Sequence, residues 1–263
     1  MSSALRVGRA VASAIISIAV VLVAWVLFLK FFHVQHFIGK NPHDVWNWLF
    51  KVDNAADNRA LVRHESWLTL RDAFLGLLFG TVAAVACAIA FNLSRAVQQT
   101  LMPVAMVLRS VPLVAMTPLI VLVFGRGLTA VTVIAGIVTF FPTLVNVTLA
   151  LKATPRESID LLTAYGASPF KTLVKVQIPS SLPALFASLR IAAPLALVGA
   201  LLSEWLATGQ GLGYSILQAS ALSDYSGLWT RVVLVTLYSV ILYKLIGAVE
   251  VLVLRRFSPA RGL

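Results

Sequence analysis

The sequence predicts an all-α membrane protein with six transmembrane helices. Of its 263 residues, 59% are hydrophobic and only 12% are charged, whereas an ordinary soluble domain carries roughly 25% charged residues. The mean hydropathy is +0.91, and six apolar runs are each long enough to cross about 30 Å of hydrocarbon. Because backbone in contact with lipid must satisfy its own hydrogen bonds, we expect these runs to be helices.

The six runs define the predicted spans and leave one polar insertion between the fourth and the fifth. In chain order they are Val11–Phe32, Trp67–Phe91, Leu101–Phe124, Leu128–Leu151, Pro183–Leu206 and Trp229–Leu254. The first run lacks the small-residue cleavage site of a signal peptide, so we interpret it as a retained helix. We expect residues 1–64 to form an N-terminal helix with an outer loop, and residues 65–263 a five-helix core with a cytoplasmic loop at 152–182.

The basic residues indicate how the spans are oriented. With the N-terminus inside, the cytoplasmic segments contain Arg6, Arg9, Arg95, Lys152, Arg156, Lys171, Lys175, Arg255, Arg256 and Arg261, and the outer segments contain Lys30, Lys40, Lys51, Arg59, Arg63 and Arg126. The last outer loop, residues 207–228, has no Lys or Arg. This bias predicts that both termini of the multi-pass chain are cytoplasmic. It also explains the formal net charge of +11 without nucleic-acid binding, because no basic patch is interleaved with stacking aromatics.

The polar insertion predicts two short helices joined at a glycine. Thr154 and Ser168 are each followed by proline, which is typical of a helix N-terminus. Gly166 fits a left-handed helix end. Pro179 and Pro183 are expected to end the element and to start the next span.

The second of these short helices presents two different faces. Phe170, Leu173 and Val174 are predicted to share one face, while Lys171 and Lys175 lie one turn apart on another. The element is either an ordinary structured loop or a docking element whose anchor is Phe170.

The spacing within the insertion resembles the EAA loop of permease subunits of ATP-binding-cassette importers. The chain has Asp160-Leu161-Leu162, three residues, Gly166, nine residues, Val176, one residue, and then Ile178-Pro179. The family pattern is Glu-Ala-Ala, three residues, Gly, nine residues, Ile, one residue, and then Leu-Pro. The chain departs from it at Leu161-Leu162, where the family has two alanines.

Further segments extend the resemblance to the nitrate, sulfonate and taurine class of these permeases, from Glu65 to about Ile216. They are "ESWLTLRDAFLGLLFG", "LRSVPLVAMTPLIVLVFG", "TFFPTLVNVTLAL", "YGASPFKTLVKVQIPSSLPALFASLRIA" and "SEWLATGQGLGYSI". The resemblance implies a type I importer permease fold in a bacterial plasma membrane. It also implies a coupling helix that contacts an ATPase through Asp160, Tyr165, Gly166, Ala167, Ser168, Pro169, Phe170, Val176, Ile178 and Pro179.

The resemblance implies a non-enzymatic subunit of a larger importer. Its expected partners are a cytoplasmic ATPase dimer, a second permease that is identical or different, and an extracytoplasmic solute-binding protein, besides membrane lipid. No cofactor is expected in this chain, which has no G-x-x-x-x-G-K-[ST] phosphate loop, so ATP and Mg²⁺ would bind the ATPase. The solute would be a small anion such as nitrate, a sulfonate or taurine, or alternatively a vitamin or pyrimidine precursor.

Polar residues within the spans are candidates for the translocation path, because such residues usually face a bundle interior or water. Arg109 and Arg190 would receive an anion, or would instead snorkel or pair with Asp160 or Glu157. Glu204 and Trp205 would lie at an outer gate. There Glu204 would bond to a neighbouring helix or to Arg126, and Trp205 would close the path or, alternatively, lie at the membrane interface. Asn146 is a further polar candidate in the fourth span. Ser110, Pro112 and Met116 are candidates because they belong to the segment "SVPLVAMTP", whose prolines interrupt the span and leave backbone groups that either kink the packing or line a cavity.

Two other function classes compete with the importer. An ATP-independent secondary transporter or channel is disfavoured because neither internal repeats nor a mid-span coupling carboxylate is visible, and a membrane scaffold would use the elbow for docking alone. Catalysis is not expected, because no Ser/His/Asp arrangement is present. No metal site is expected either, since the His residues in or beside the outer loop lack the required ligand spacing; they are His33, His36, His43 and His64.

Overall fold

The computed structural model describes residues 3–257. Arg261, and the side chains of Arg6, Arg9 and Arg256, lie outside the described part, and some of the predicted orientation depends on them. Within the described residues all regular structure is helical, as predicted. The chain divides into two compact units, Met1–Arg63 with Ile216–Val233, and His64–Ser215 with Leu234–Leu263.

Eleven α-helices and two π-helical turns make up the described secondary structure. The α-helices are α1 Ser3–Phe31, α2 Pro42–Phe50, α3 Ala55–Leu93, α4 Arg95–Ser110, α5 Leu113–Phe124, α6 Leu128–Lys152, α7 Arg156–Ala164, α8 Pro169–Thr172, α9 Ile178–Ser203, α10 Gly211–Ala221 and α11 Tyr225–Phe257. The π-helical turns, Leu173–Gln177 and Glu204–Thr208, directly precede and follow α9.

Aromatic contacts hold the first unit together. Trp25 on α1 stacks on Trp229 at the start of α11, with ring centroids 5.2 Å apart. The Trp229 indole also donates a 2.8 Å hydrogen bond to the carbonyl of Ile38, and Phe37 meets the edge of Tyr225 at 5.2 Å. These contacts fix the segment after α1 against α11, because stacked and edge-to-face aromatic pairs add to simple area burial.

Small residues let the central helices of the second unit approach closely. A Cβ atom added to Gly80 on α3 would lie 2.5 Å from the carbonyl oxygen of Gly136 on α6. One added to Gly199 on α9 would lie 2.7 Å from the Cα of Ala135. The Thr139 hydroxyl then donates across the α3–α6 contact to the carbonyl of Gly76 at 3.2 Å. Such backbone approach and interhelical bonding are the usual basis of helix association in membranes.

The predicted third span, Leu101–Phe124, is not one straight helix. It consists of α4 and α5, whose axes are bent by 105° at a short break. Pro112 has no N–H, and it holds the preceding Val111 in an extended conformation with φ −73° and ψ 126°. The proline therefore breaks the helix in the middle of an apolar run.

The predicted start of the fifth span at Pro183 is also wrong. Pro169–Thr208 is continuously helical over 40 residues, and Pro183 lies inside α9. The N–H of Ile178 donates to the carbonyl of Leu173, five residues back. Pro179 follows in the first turn of α9, where its missing N–H is tolerated. The part of the elbow that begins at Pro169 and the fifth apolar run thus belong to one continuous helix.

By length and composition, four described helical segments are able to cross a membrane, or five if the bent pair of α4 and α5 counts as one. The four are Ala55–Leu93, Leu128–Lys152, Pro169–Thr208 and Tyr225–Arg255. Within α1, the apolar stretch Ile15–Phe31 is shorter than these. The chain is therefore an all-helical membrane protein, and its number of spans is four or five by this criterion.

Candidate functional site

The elbow between α7 and α8 is built on a left-handed glycine. Gly166 has φ +73°, its N–H donates to the carbonyl of Thr163, and the N–H of Ala167 donates to that of Leu162, each at 2.9 Å. This pair of bonds is the Schellman motif that commonly ends a helix. The predicted left-handed helix end at Gly166 is confirmed.

Only one of the two predicted helix caps forms. The Ser168 hydroxyl accepts from the N–H of Lys171 at 3.3 Å, with Pro169 in the first turn of α8. Thr154 does not cap α7, because its hydroxyl donates back to the carbonyl of Leu151 at 3.0 Å. Pro155 takes the capping position of α7 without a side-chain bond.

Large apolar side chains are exposed around the elbow. Leu161, Tyr165, Phe170 and Val174 are 59%, 82%, 65% and 47% exposed, and we call these four residues the elbow patch. A cluster of exposed aromatic and aliphatic side chains on a rigid turn, flanked by polar residues, is typical of a surface that binds another protein. Asp160 and Ser168 are exposed beside it, whereas Ala167, Val176, Ile178 and Pro179 are partly buried.

The helix that carries Phe170 is anchored in the core of the second unit. Leu173 is only 1% exposed, and it belongs to a buried cluster with Phe91 of α3 and with Leu144 and Leu151 of α6. The sequence predicts that Leu173 shares one face with Phe170 and Val174. This prediction is wrong, because Leu173 points inward whereas the other two side chains are exposed. The turn that follows α8 is therefore packed against side chains of two other helices.

Four candidates for the translocation path lie at or near the break between α4 and α5. Arg109 and Met116 line the same cavity of about 290 Å³, together with Phe141 of α6 and with Ile191 and Leu195 of α9. Ser110 and Pro112 are exposed at the break itself. The Ser110 hydroxyl donates to its own helix at the carbonyl of Val107, at 2.7 Å. Asn146 is partly buried further along α6.

Arg190 makes an ion pair with a different partner from those predicted. Its guanidinium contacts the Glu250 carboxylate of α11 at 2.5 Å and lies 5.9 Å from the centre of the Tyr243 ring. A Cβ atom on Gly247 would lie 3.2 Å from this guanidinium, so the glycine leaves room for it. The arginine therefore links α9 to α11.

Glu204 joins the end of α9 to the start of α10. It is 1% exposed, and its carboxylate accepts a 2.8 Å hydrogen bond from the N–H of Gly213. Gly211 has φ +86° and packs its Cα against this carboxylate, where a side chain would not fit. A carboxylate at a helix start satisfies an otherwise free N–H and matches the helix dipole. Trp205, the next residue, is 50% exposed.

Residues missed by the sequence reasoning act at these same junctions. The Thr69 hydroxyl accepts from the N–H of Leu212 at 2.9 Å, which ties α3 to α10 next to Glu204. The Asn92 side chain donates to the side chain of Gln177 at 2.8 Å, which ties α3 to the π-helical turn after α8. A polar residue in an apolar run is the only local signal for such partners. Among the described residues, no group of three or more His, Cys, Asp or Glu side chains is placed to hold a metal ion.

The chain is similar to proteins of known family and fold. Residues 76–259 match the family described as "Binding-protein-dependent transport system inner membrane component". A "Probable ABC transporter permease protein" of Haemophilus influenzae is 29% identical over 226 residues, covering 86% of this chain and 90% of the relative. The riboflavin transport system permease protein of Chloroflexus aurantiacus is 37% identical over 161 residues, covering 61% and 60%.

The fold is also similar to that of a solved structure. A chain of the MetNI methionine ABC transporter, in an inward-facing conformation, superposes with a TM-score of 0.64 and 24% sequence identity. The superposition covers 75% of this chain and 96% of that chain. At 24% sequence identity this similarity shows that the two chains share a fold.

Proposed function

The chain belongs to the inner-membrane components of binding-protein-dependent transport systems, and we propose that its elbow couples ATP hydrolysis by a separate subunit to solute movement. As a permease of the ATP-binding-cassette class it is a membrane-embedded transport subunit. Residues Gly166–Pro179 would act as the coupling helix. The single observation that carries this proposal is the exposed elbow patch, which lies on both sides of Gly166 and is followed by the buried Leu173.

The elbow has the two properties that a coupling element needs. Tyr165 and Phe170 are 82% and 65% exposed, so a partner is able to bury both rings. Leu173, three residues later, is fully packed. Because the helix continues without a break into α9, a rigid-body movement of the partner would tilt a whole membrane helix rather than bend a loop.

The partners follow from this assignment. A cytoplasmic ATPase dimer would bind ATP and Mg²⁺ and would contact the elbow patch. A second permease, identical or different, would complete the translocation path, and an extracytoplasmic binding protein would deliver the solute. Together with this chain, these three partners would carry out alternating access, in which the path opens to one side of the membrane at a time.

The orientation and the number of spans are part of the same proposal. An elbow that meets an ATPase requires α7 and α8 on the cytoplasmic side, which agrees with the charge bias of the loops. With the N-terminus also inside, α1 becomes a sixth span. Its apolar stretch Ile15–Phe31 lies near the short end of the roughly 17 to 25 residues that cross a bilayer.

Two solute classes are compatible with the family. A small anion would use Arg109, which lines the cavity beside the α4–α5 break, whereas the charge of Arg190 is already paired with Glu250. A vitamin or pyrimidine precursor is favoured by the 37% identity to a riboflavin permease. We propose that the solute is a vitamin or pyrimidine precursor. Of the two arginines predicted to receive an anion, Arg190 is paired with Glu250, and only Arg109 is left to bind one.

Reconstitution with the partner subunits tests the proposal. The permease is placed in proteoliposomes with its ATPase and binding protein, and the uptake of labelled riboflavin, a formylated pyrimidine and nitrate is measured with ATP or a non-hydrolysable analogue. Uptake that requires hydrolysis and the binding protein supports the coupled importer. Equal uptake by the permease alone, without ATP, identifies an ATP-independent transporter or channel and contradicts the proposal.

A further inference from the structure

A basic groove lies between α4 and the junction of α6 with α7. It encloses about 860 Å³, within the range of about 300–1,000 Å³ typical of ligand sites. Arg95 lines it from α4, Lys152 from the end of α6 and Arg156 from the start of α7. Among the described residues that line the groove, three are cations and none is acidic. The groove therefore attracts anions.

One face of α4 changes from polar to apolar along the groove. Arg95 and Gln98 line its first turn, and Met102 and Met106 line the next two turns on the same face, since residues three or four apart are neighbours on a helix. Phe91 of α3 closes the apolar part. Flexible methionine side chains pack well against ligands of irregular shape.

Contacts of α4 with α6 lie at the polar end and in the apolar part of the groove. The Lys152 ammonium donates to the Gln98 side chain, which connects α6 to α4 across the polar end. Ala105 of α4, between Met102 and Met106, is buried in the same core cluster as Leu144 and Leu151 of α6. The apolar part of the groove therefore borders this core.

The other side of α4 is suited to lipid. Leu101, Val104 and Val107 are between 48% and 66% exposed. A helix with an apolar outer face and a cationic first turn is typical of the membrane interface. The groove thus has a cationic end and an apolar end, which match the charged headgroup and the acyl chains of a phospholipid.

We propose that the basic groove binds one anionic phospholipid of the cytoplasmic leaflet, with its phosphate on Arg95, Lys152 and Arg156 and its first acyl carbons against Met102 and Met106. Basic pockets at the cytoplasmic ends of transmembrane helices recognise such headgroups. A soluble phosphate would satisfy the cations but would leave the apolar half of the groove uncovered. The lipid would hold α4 against α6 and α7, next to the elbow, independently of which solute is transported.

Lipid binding to the purified full-length transporter tests the proposal directly. Native mass spectrometry compares the binding of phosphatidylglycerol with that of phosphatidylcholine to the delipidated complex. We expect a preference of about tenfold or more for phosphatidylglycerol, because each cation near a headgroup contributes on the order of a few-fold in affinity. The combined variant Arg95→Gln, Lys152→Gln and Arg156→Gln is expected to lose this preference.

Two further variants separate the groove from general charge effects. Lys40→Gln, Lys51→Gln and Lys244→Gln together remove the same charge from residues that do not line the groove, and the preference should remain. Arg95→Lys with Arg156→Lys keeps the charge and should also keep the preference.

Three outcomes would overturn the proposal. The first is an unchanged lipid preference in the combined groove variant. The second is complete displacement of phosphatidylglycerol by millimolar inorganic phosphate, which would identify a site for a soluble anion. The third is loss of the lipid when the ATPase is bound, which would identify the groove as part of the ATPase contact.

Discussion

The Asn92 side chain donates a 2.8 Å hydrogen bond to the side chain of Gln177, 85 positions later in the chain. The bond connects the C-terminal end of α3 to the π-helical turn that follows α8. It lies beside the buried Leu173, so packing and polar contact act at the same junction. The elbow is therefore joined to α3 by this hydrogen bond and to α9 by a continuous helix.

Removal of this hydrogen bond should weaken coupling without preventing insertion. Asn92→Ala and Gln177→Ala each remove an interaction worth about 1 kcal/mol, and solute uptake per ATP hydrolysed is expected to fall in both. Because the two residues act through one bond, the double variant should lose little more than either single variant. If the two losses instead add in full on a logarithmic scale, the residues do not work as a pair.

The close α3–α6 contact predicts a difference between two glycines. Gly80→Ala places a methyl group 2.5 Å from the Gly136 carbonyl oxygen, and overpacking of this kind typically costs about 1–3 kcal/mol. Gly136→Ala meets backbone atoms only at 3.7 Å or more and should be tolerated. Thermal unfolding of the detergent-solubilised protein is the measurement, and equal midpoints for the two variants would show that the contact is looser than described.

The buried carboxylate of Glu204 is expected to stabilise the start of α10. Glu204→Ala leaves the N–H of Gly213 without its acceptor in a buried place, which costs about 1–3 kcal/mol. Glu204→Gln keeps an acceptor oxygen and should retain most of the stability. Unfolding midpoints and transport are measured for both. Equal loss in the two variants would mean that the negative charge, rather than the hydrogen bond, is what the site requires.

An exchange of charges distinguishes a structural role of Arg190 from a role in solute binding. Arg190→Glu alone should strongly reduce the amount of folded protein, because it faces Glu250 at the position of an ion pair with contact distance 2.5 Å. Adding Glu250→Arg restores an opposite-charge pair, and both folding and uptake should recover in part. Recovery of folding without any recovery of uptake would assign Arg190 to the solute path.

Long uninterrupted features of this chain are predictable from sequence. The apolar runs Leu128–Leu151 and Trp229–Leu254 lie within α6 and α11, because length and hydropathy alone determine that such a run is helical in a membrane. The left-handed Gly166 and the Ser168 cap are predictable for a local reason as well. Their turn chemistry depends on only a few neighbouring residues.

Features that depend on long-range contacts are not predictable in this way. The inward position of Leu173 follows from its packing in one buried cluster with Phe91 of α3 and with Leu144 and Leu151 of α6. The partners of Gln177 and Arg190 lie on helices that are far away in the sequence, and a single sequence carries no signal that pairs them. The break at Pro112 illustrates a third limit, since proline inside an apolar run is compatible with either a kink or two helices.

The affinity of the ATPase for the Phe170→Ala variant tests the central claim most directly. Phe170 is 65% exposed at the elbow, and truncation of an interface anchor costs about 2 kcal/mol or more, or about 30-fold in affinity. Phe31→Ala is the matched control, because Phe31 is 77% exposed and lies at the end of α1, away from the elbow in sequence. In nanodiscs, Phe170→Ala should bind the ATPase at least tenfold more weakly and lose ATP-driven uptake, while Phe31→Ala keeps both. Wild-type ATPase affinity and uptake in Phe170→Ala would contradict the coupling role of the elbow.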